Sequence, residues 1–262
     1  MKRFKKLFCV VMAVATLSSA LWANACTVVA VGKDASDTGA VQVAHTCDGW
    51  YDHRIQIVEG GTHAEGETVD IYNDPCTATK KDPELVGTVP QVPETYTYFN
   101  IGYPFMNEKG VIISEFTWNG RSEISYNQGL LVVANLEMLG LQRAATAREC
   151  VQVMGALAEQ YGYCDGGECL LVADQNEVWI FEVCGGGPLW TPESGTPGAH
   201  WAARRVPDDQ VYVGANRSRL GVIDFNDTEN FMWSTDITAL PEQLGWWKQG
   251  EDFNFSLIFN PP

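Results

Sequence analysis

The chain has 262 residues, 45% of them hydrophobic, with 33 acidic residues against 17 basic ones. That length suits one large domain or two small ones, and that apolar content supplies a buried core and excludes an intrinsically disordered chain. The formal charge of −16 repels nucleic-acid phosphates and anionic lipid headgroups, which argues against either as a partner.

The first segment reads as an export signal. Residues 1–6 (MKRFKK) are basic, residues 7–21 (LFCVVMAVATLSSAL) are uncharged and mostly apolar, and Ala23-Asn24-Ala25 is a small-x-small cleavage site. Cutting after Ala25 removes residues 1–25 and leaves a domain over 26–262 that is secreted or periplasmic. The signal holds four of the basic residues and none of the acidic ones, so the charge of the remainder falls further, to near −20. No comparable apolar run follows Leu21, and no membrane span is expected in the mature chain.

Short apolar runs at residues 26–31 (CTVVAV) and 40–45 (AVQVAH), with alternation over 54–58, predict an antiparallel meander at the mature N-terminus. Residues 60–95 are rich in Gly, Pro, Asp and Thr and read as loop with short strands. The β-branched and aromatic run 111–118 (VIISEFTW) predicts a strand. Residues 128–141 predict a largely buried helix, because apolar side chains cover most of its circumference. A second helix opens at Thr146, with Glu149 in capping-box position, and stops at Gly162. Strands are predicted at 169–173, 178–183 and 211–214. The segment after Asp224 is aromatic-rich and shows no clear terminal element. Strands, then two helices, then strands give an α+β class.

Eight cysteines are present, and Cys9 would leave with the signal. Of the seven that remain, an oxidising compartment favours pairing, and an odd number leaves at least one thiol free. If that thiol is Cys26, the other six can form up to three bridges; Cys164 and Cys169 flank a tight loop that could join them. Closely spaced cysteine pairs do not recur and no His-Glu-x-x-His run exists, so no structural metal is expected. No cofactor is implied.

Three chemistries suit Cys26. It could be an N-terminal nucleophile whose own α-amine serves as base. It could be a lipid-anchored cysteine, although Ala23 and Asn24 fit a lipoprotein signal poorly. It could be an ordinary half of a disulfide.

Longer blocks narrow this choice. Cys26-Thr27 heading a strand, followed by Ala44-His45-Thr46-Cys47-Asp48-Gly49, resembles the start of bacterial cysteine dipeptidases of the N-terminal-nucleophile hydrolase superfamily. Met106-Asn107-Glu108-Lys109-Gly110 with Glu115-Phe116-Thr117, residues 146–149 with 161–163, and residues 201–209 with Ala215-Asn216-Arg217 are similar to three further blocks, in order. The resemblance implies a four-layered αββα sandwich, dipeptides or other small amides as substrates, and Cys26 as the nucleophile. Family members are typically longer, so the chain is expected to be an N-terminal portion of a full enzyme.

The resemblance also implies roles for other residues. Asp48 would hold the α-amine, or else serve as a turn residue. Asn216 would donate to the oxyanion, or cap a strand end. His45 stands where related acylases carry arginine; it would orient the thiol or bind substrate, or be an ordinary strand histidine. Thr117 falls at a polar oxyanion position of those acylases. Arg217 and Arg219 could bind a substrate carboxylate, or be surface arginines. Within enzymes, an N-acyl amide hydrolase is the alternative activity. Outside them, the alternative is a surface lipoprotein or binding module acylated on Cys26.

Overall fold

The structure is a computed structural model and describes residues 26–48, 54–73, 83–125, 128–188 and 190–262. The signal segment, Gly49, His53 and Cys76 lie outside the described residues.

Strands β1 (Thr27–Val31) and β2 (Gln42–Thr46) pair antiparallel. β3 (Gln56–Val58) does not continue that pairing. Four short strands follow: β4 (Gly61–Thr62), β5 (Thr68–Tyr72), β6 (Leu85–Pro90) and β7 (Glu94–Thr95), which pair β4 with β7 and β5 with β6. Then come β8 (Tyr98–Ile101), β9 (Tyr103–Asn107) and β10 (Ile112–Asn119), helices α1 (Val133–Arg143) and α2 (Ala147–Tyr161), β11 (Gly167–Ala173), β12 (Val178–Gly185), β13 (Ala199–Val206), β14 (Val211–Gly214) and β15 (Phe231–Trp233). Two short helices, α3 (Ala239–Gln243) and α4 (Phe255–Phe259), end the chain.

An eight-stranded sheet runs in the order β15-β13-β12-β11-β10-β9-β8-β3, with every pairing antiparallel. From β8 to β13 it is an up-and-down meander, interrupted between β10 and β11 by the two helices. Period-two alternation sorts its side chains. Ile113, Leu170, Phe181 and Ala203 face the helices and pack with Leu136, Leu139, Val151 and Met154. Phe116, Leu171, Ile180 and Ala202 face the other way, onto Val28, Ala30 and Tyr212 and onto the C-terminal Phe253, Phe255 and Phe259. The second face is thus covered by a three-stranded sheet, β14-β1-β2, and by the C-terminal segment.

The α+β class is observed. The predicted N-terminal meander is corrected: β3 joins β8 in the large sheet, and β1 becomes the central strand between β14 and β2. Local alternation marks a strand but not its partner, and β14 comes from nearly two hundred residues away. The first helix begins at Val133 rather than at residue 128, because residues 130 and 131 are held by backbone bonds to Tyr161 and Gly162. The C-terminus does carry an element: α4 buries Phe255, Ile258 and Phe259. Strand β13 went unread because its sequence, AHWAARRV, alternates poorly, yet it is buried along most of its length.

Among the described residues, Cys26, Cys150, Cys164, Cys169 and Cys184 are free thiols. The suggested Cys164–Cys169 bridge is not made. Cys164 Sγ lies 3.5 Å from the Leu131 carbonyl, whereas Cys169 is already within β11, with Sγ 3.9 Å from the Tyr212 hydroxyl.

Two close approaches fix the helices on the sheet. A Cβ at Gly140 would lie 2.9 Å from Cys150 Sγ, and one at Gly155 would lie 2.4 Å from the Trp201 ring. The absence of those methyls lets α1 meet α2 and lets α2 rest on β13, where Trp201 Nε1 donates to Glu159 at 2.8 Å. At the start of α2, Thr146 Oγ1 accepts from the Glu149 amide at 3.2 Å. The Glu149 carboxylate reaches one residue past the cap, to the Ala145 amide at 2.7 Å, so the reciprocal half of the expected box is shifted. Replacing Thr146 with Ala strands an orphan amide and is expected to cost about 1 kcal/mol. Urea unfolding checks this through a lower midpoint at unchanged slope.

Candidate active site

β1 begins one residue after Cys26, and its register brings distant residues level with that cysteine. On one side Thr27 pairs with Thr46, so the next rung sets Cys26 opposite Cys47. On the other side Val28 pairs with Gly214, the last residue of β14, and Asn216 follows two residues later. Gly214 permits this seat: a Cβ there would fall 2.4 Å from the Phe116 ring of β10. The small sheet therefore packs tightly onto β10 where the thiol sits.

The Cys26 thiol donates to Cys47 Sγ at 3.4 Å, and the Cys47 thiol donates to Glu115 Oε1 at 3.5 Å. His45 Nε2 stands 3.6 Å from the same Glu115 oxygen. His45 and Cys47 share one face of β2 because they are two residues apart. The bond to Cys47 is the main influence raising the Cys26 thiol pKa; burial and the Glu115 charge add to it, and a backbone hydrogen bond from Asp48 opposes it. At neutral pH the sulfur is therefore a protonated thiol. Glu115 is itself pushed up to about 7, first by burial and then by Cys47, with His45 opposing.

Glu115 belongs to a buried acidic group. Glu168, on β11, faces the same side of the sheet, and its neighbour across the ladder is Thr117; a Thr117 side-chain hydrogen bond favours its charged form. Glu137 of α1 is buried with neither carboxylate oxygen hydrogen-bonded. Burial and the neighbouring acids raise both Glu137 and Glu168 well above the usual carboxylate range, which keeps them neutral.

The structure brings together Cys26, His45 and Asp48, the last through its backbone, while Asn216 lies two residues past the end of β14. Asn216 is exposed, adopts φ 42° and donates one carboxamide hydrogen to the Thr117 carbonyl at 2.9 Å. Its second amide hydrogen is not used by that contact. Arg217 and Arg219 are both exposed and flank Ser218, which is buried against Glu182 of β12.

Glu182 holds this segment in place. Its Oε1 accepts the Arg219 amide at 2.7 Å and the Leu220 amide at 3.1 Å, and its Oε2 accepts the Ser218 hydroxyl. Sequence reasoning missed Glu115, Glu137 and Glu182 as site-forming residues. The available signal was a lone acid inside an apolar run, as in VIISEFTW, LEMLGL and VWIFEVCG, since a buried charge requires partners.

Burial pushes Glu182 up to about 7, against the lowering effect of its three hydrogen bonds. A carboxyl whose folded pKa exceeds its unfolded value stabilises the fold below the unfolded pKa and loses that contribution as pH rises through the folded one. Wild-type stability should therefore carry a loss of up to roughly 3 kcal/mol from this group between about pH 4.5 and 7. Glu182→Gln should remove that component, read as a flatter dependence of Tm on pH.

Residues 25–262 match the family model described as Peptidase family C69. A probable dipeptidase of Latilactobacillus sakei is 29% identical over 252 residues, covering 90% of this chain and 48% of that protein. Dipeptidase A of Lactobacillus helveticus is 27% identical over 248 residues, covering 89% and 49%. A probable dipeptidase of Salmonella dublin is 27% identical over 231 residues, covering 84% and 49%. The chain spans about half the length of these curated relatives. With Cys26 at the head of β1 and nearly every residue after it matched, the chain belongs to the cysteine-type peptidase family C69.

Proposed function

We propose that the chain is the nucleophile-bearing part of an exported cysteine dipeptidase that hydrolyses small peptides through Cys26. The observation that carries this reading is the place of Cys26. It heads the central strand of the small sheet, with its sulfur half-buried beside Cys47 and accepting a backbone hydrogen bond from Asp48. The relatives' names, dipeptidase and Dipeptidase A, support the substrate class.

The raised thiol pKa sets what the chemistry requires. A resting thiolate is disfavoured, so the proton must be removed as the sulfur attacks. Cleavage after Ala25 would free an α-amine on the same residue, with an ordinary pKa of about 7.7–8.0. That amine takes the thiol proton, and the sulfur adds to the scissile carbonyl carbon. The second Asn216 amide hydrogen stabilises the tetrahedral oxyanion. The intermediate collapses to a thioester, and the protonated α-amine returns its proton to the departing amine. Water, deprotonated by the same amine, then releases the acyl product.

The Asp48 carboxylate, exposed beside the thiol, holds the liberated ammonium. His45 orients Glu115 and Cys47 beneath the nucleophile, and Thr117 fixes Asn216 through its carbonyl. Arg217 and Arg219 offer cations to a dipeptide's free carboxylate. The helix pair, the large sheet and the small sheet would be successive layers of an αββα sandwich. Among the described residues no helix is long and apolar enough to cross a membrane, and the basic, apolar residues 1–21 would direct export.

The test is release of free amino acids from a dipeptide panel by protein beginning at Cys26. Cys26→Ala should lower turnover at least about 10³-fold, and retention of residues 1–25 should do the same. Asn216→Ala should lower kcat by ~10²–10³ with little change in KM. Undiminished turnover in Cys26→Ala would overturn the reading.

A further inference from the structure

The surroundings of Cys26 contain more ligating chemistry than amide hydrolysis uses. Cys26 Sγ, Cys47 Sγ, His45 Nε2 and a Glu115 carboxylate oxygen all lie within 4.8 Å of one another. Three of the separations are known singly: 3.4 Å between the sulfurs, 3.5 Å from Cys47 Sγ to Glu115 Oε1 and 3.6 Å from that oxygen to His45 Nε2. With zinc–sulfur bonds of about 2.3 Å and zinc–nitrogen or zinc–oxygen bonds of about 2.0–2.1 Å, the edges of a tetrahedral site measure roughly 3.3–3.8 Å. All three separations fall in that range. His45 Nε2 is also buried with no hydrogen-bond partner, and it faces the same Glu115 oxygen that Cys47 reaches.

We propose that this cluster is a four-ligand site for zinc, and that zinc bound there switches the nucleophile off. Two sulfurs, an imidazole and one carboxylate form a donor set suited to a borderline-soft ion rather than to magnesium or calcium. On binding, zinc forms bonds to both sulfurs, to His45 Nε2 and to Glu115, and the two thiol protons leave to water. The Cys26 lone pair that would attack a carbonyl is then committed to the metal. Such a site shows no clustered spacing in the sequence, because its ligands come from the head of β1, from β2 and its end, and from β10. The ligand set stands without the proposed hydrolysis; only the loss of activity rests on Cys26 being the nucleophile.

Cobalt(II) titration of the protein beginning at Cys26, under a non-thiol reductant, tests the site directly. One equivalent should produce a thiolate-to-cobalt charge-transfer band and the intense visible bands of a tetrahedral ion, and zinc should bleach both. Cys47→Ser should weaken binding by more than the roughly 10–100-fold typical of losing a supporting contact, and Cys164→Ser should leave it unchanged. Circular dichroism of each variant verifies the fold, and His45→Gln gives an independent ligand deletion. A band that is absent, or that survives in both Cys47→Ser and Cys26→Ser, overturns the metal site. In the activity arm, stoichiometric zinc should abolish dipeptide turnover, and a chelator should restore it. Turnover that persists with cobalt or zinc demonstrably bound overturns the switch. A cobalt signal in a protein that never turns over dipeptides leaves the metal site standing and defeats the proposed function instead.

Discussion

The site depends on one packing constraint: the three-stranded sheet must lie close against β10. Gly214 and Phe116 meet with no room for a Cβ, and Val28 and Ala30 are buried on the same surface. With the small sheet seated there, Cys26 reaches Cys47 and Cys47 reaches Glu115. Antiparallel register does the rest, because it fixes which residue after β2 stands level with the thiol and ends the other flank at Gly214. A slip of one residue in either pairing would turn the paired side chains to the opposite face.

Buried carboxyls form the second theme. Glu115, Glu137 and Glu168 are buried close together, so that burial first and then the Glu115 charge raise the pKa of the other two, whereas Glu182 is buried among different partners. Their environments differ in kind. Glu182 is met by three donors and acts as a clasp for the segment 218–220. Glu137 has no donor at all, and burial beside other acids keeps it protonated. The Cys26 sulfur stays a neutral thiol chiefly through its contact with Cys47, with burial and the Glu115 charge adding to it.

The sequence carried much of this fold in its local patterns. The second helix was readable because Thr146, Glu149 and Gly162 punctuate it, and residues 211–214 match β14 at both ends. Partners were not readable: nothing in Val211–Gly214 says that it flanks β1, and nothing in Gln56–Val58 says that it abandons β2. Cys26 stood out through the cleavage signal and the block resemblance. Glu115 was visible only as a charge within an apolar strand, and its closeness to His45 and Cys47 depends on strand packing that no local window contains. The suggested Cys164–Cys169 bridge failed for a similar reason. Cysteines 150, 169 and 184 are buried among apolar side chains in separate elements, which even spacing along the chain could not reveal.

Insertion of the helix pair between β10 and β11 makes the central ladder of the large sheet a long-range one. Ile112 pairs with Ala173 and Asn119 with Gly167, and β1 waits for β14 across a still greater stretch. Ladders of such high contact order form slowly. Cys26, at the head of β1, is therefore made early in synthesis and is among the last residues to gain a complete native strand environment, because β14 is made far later.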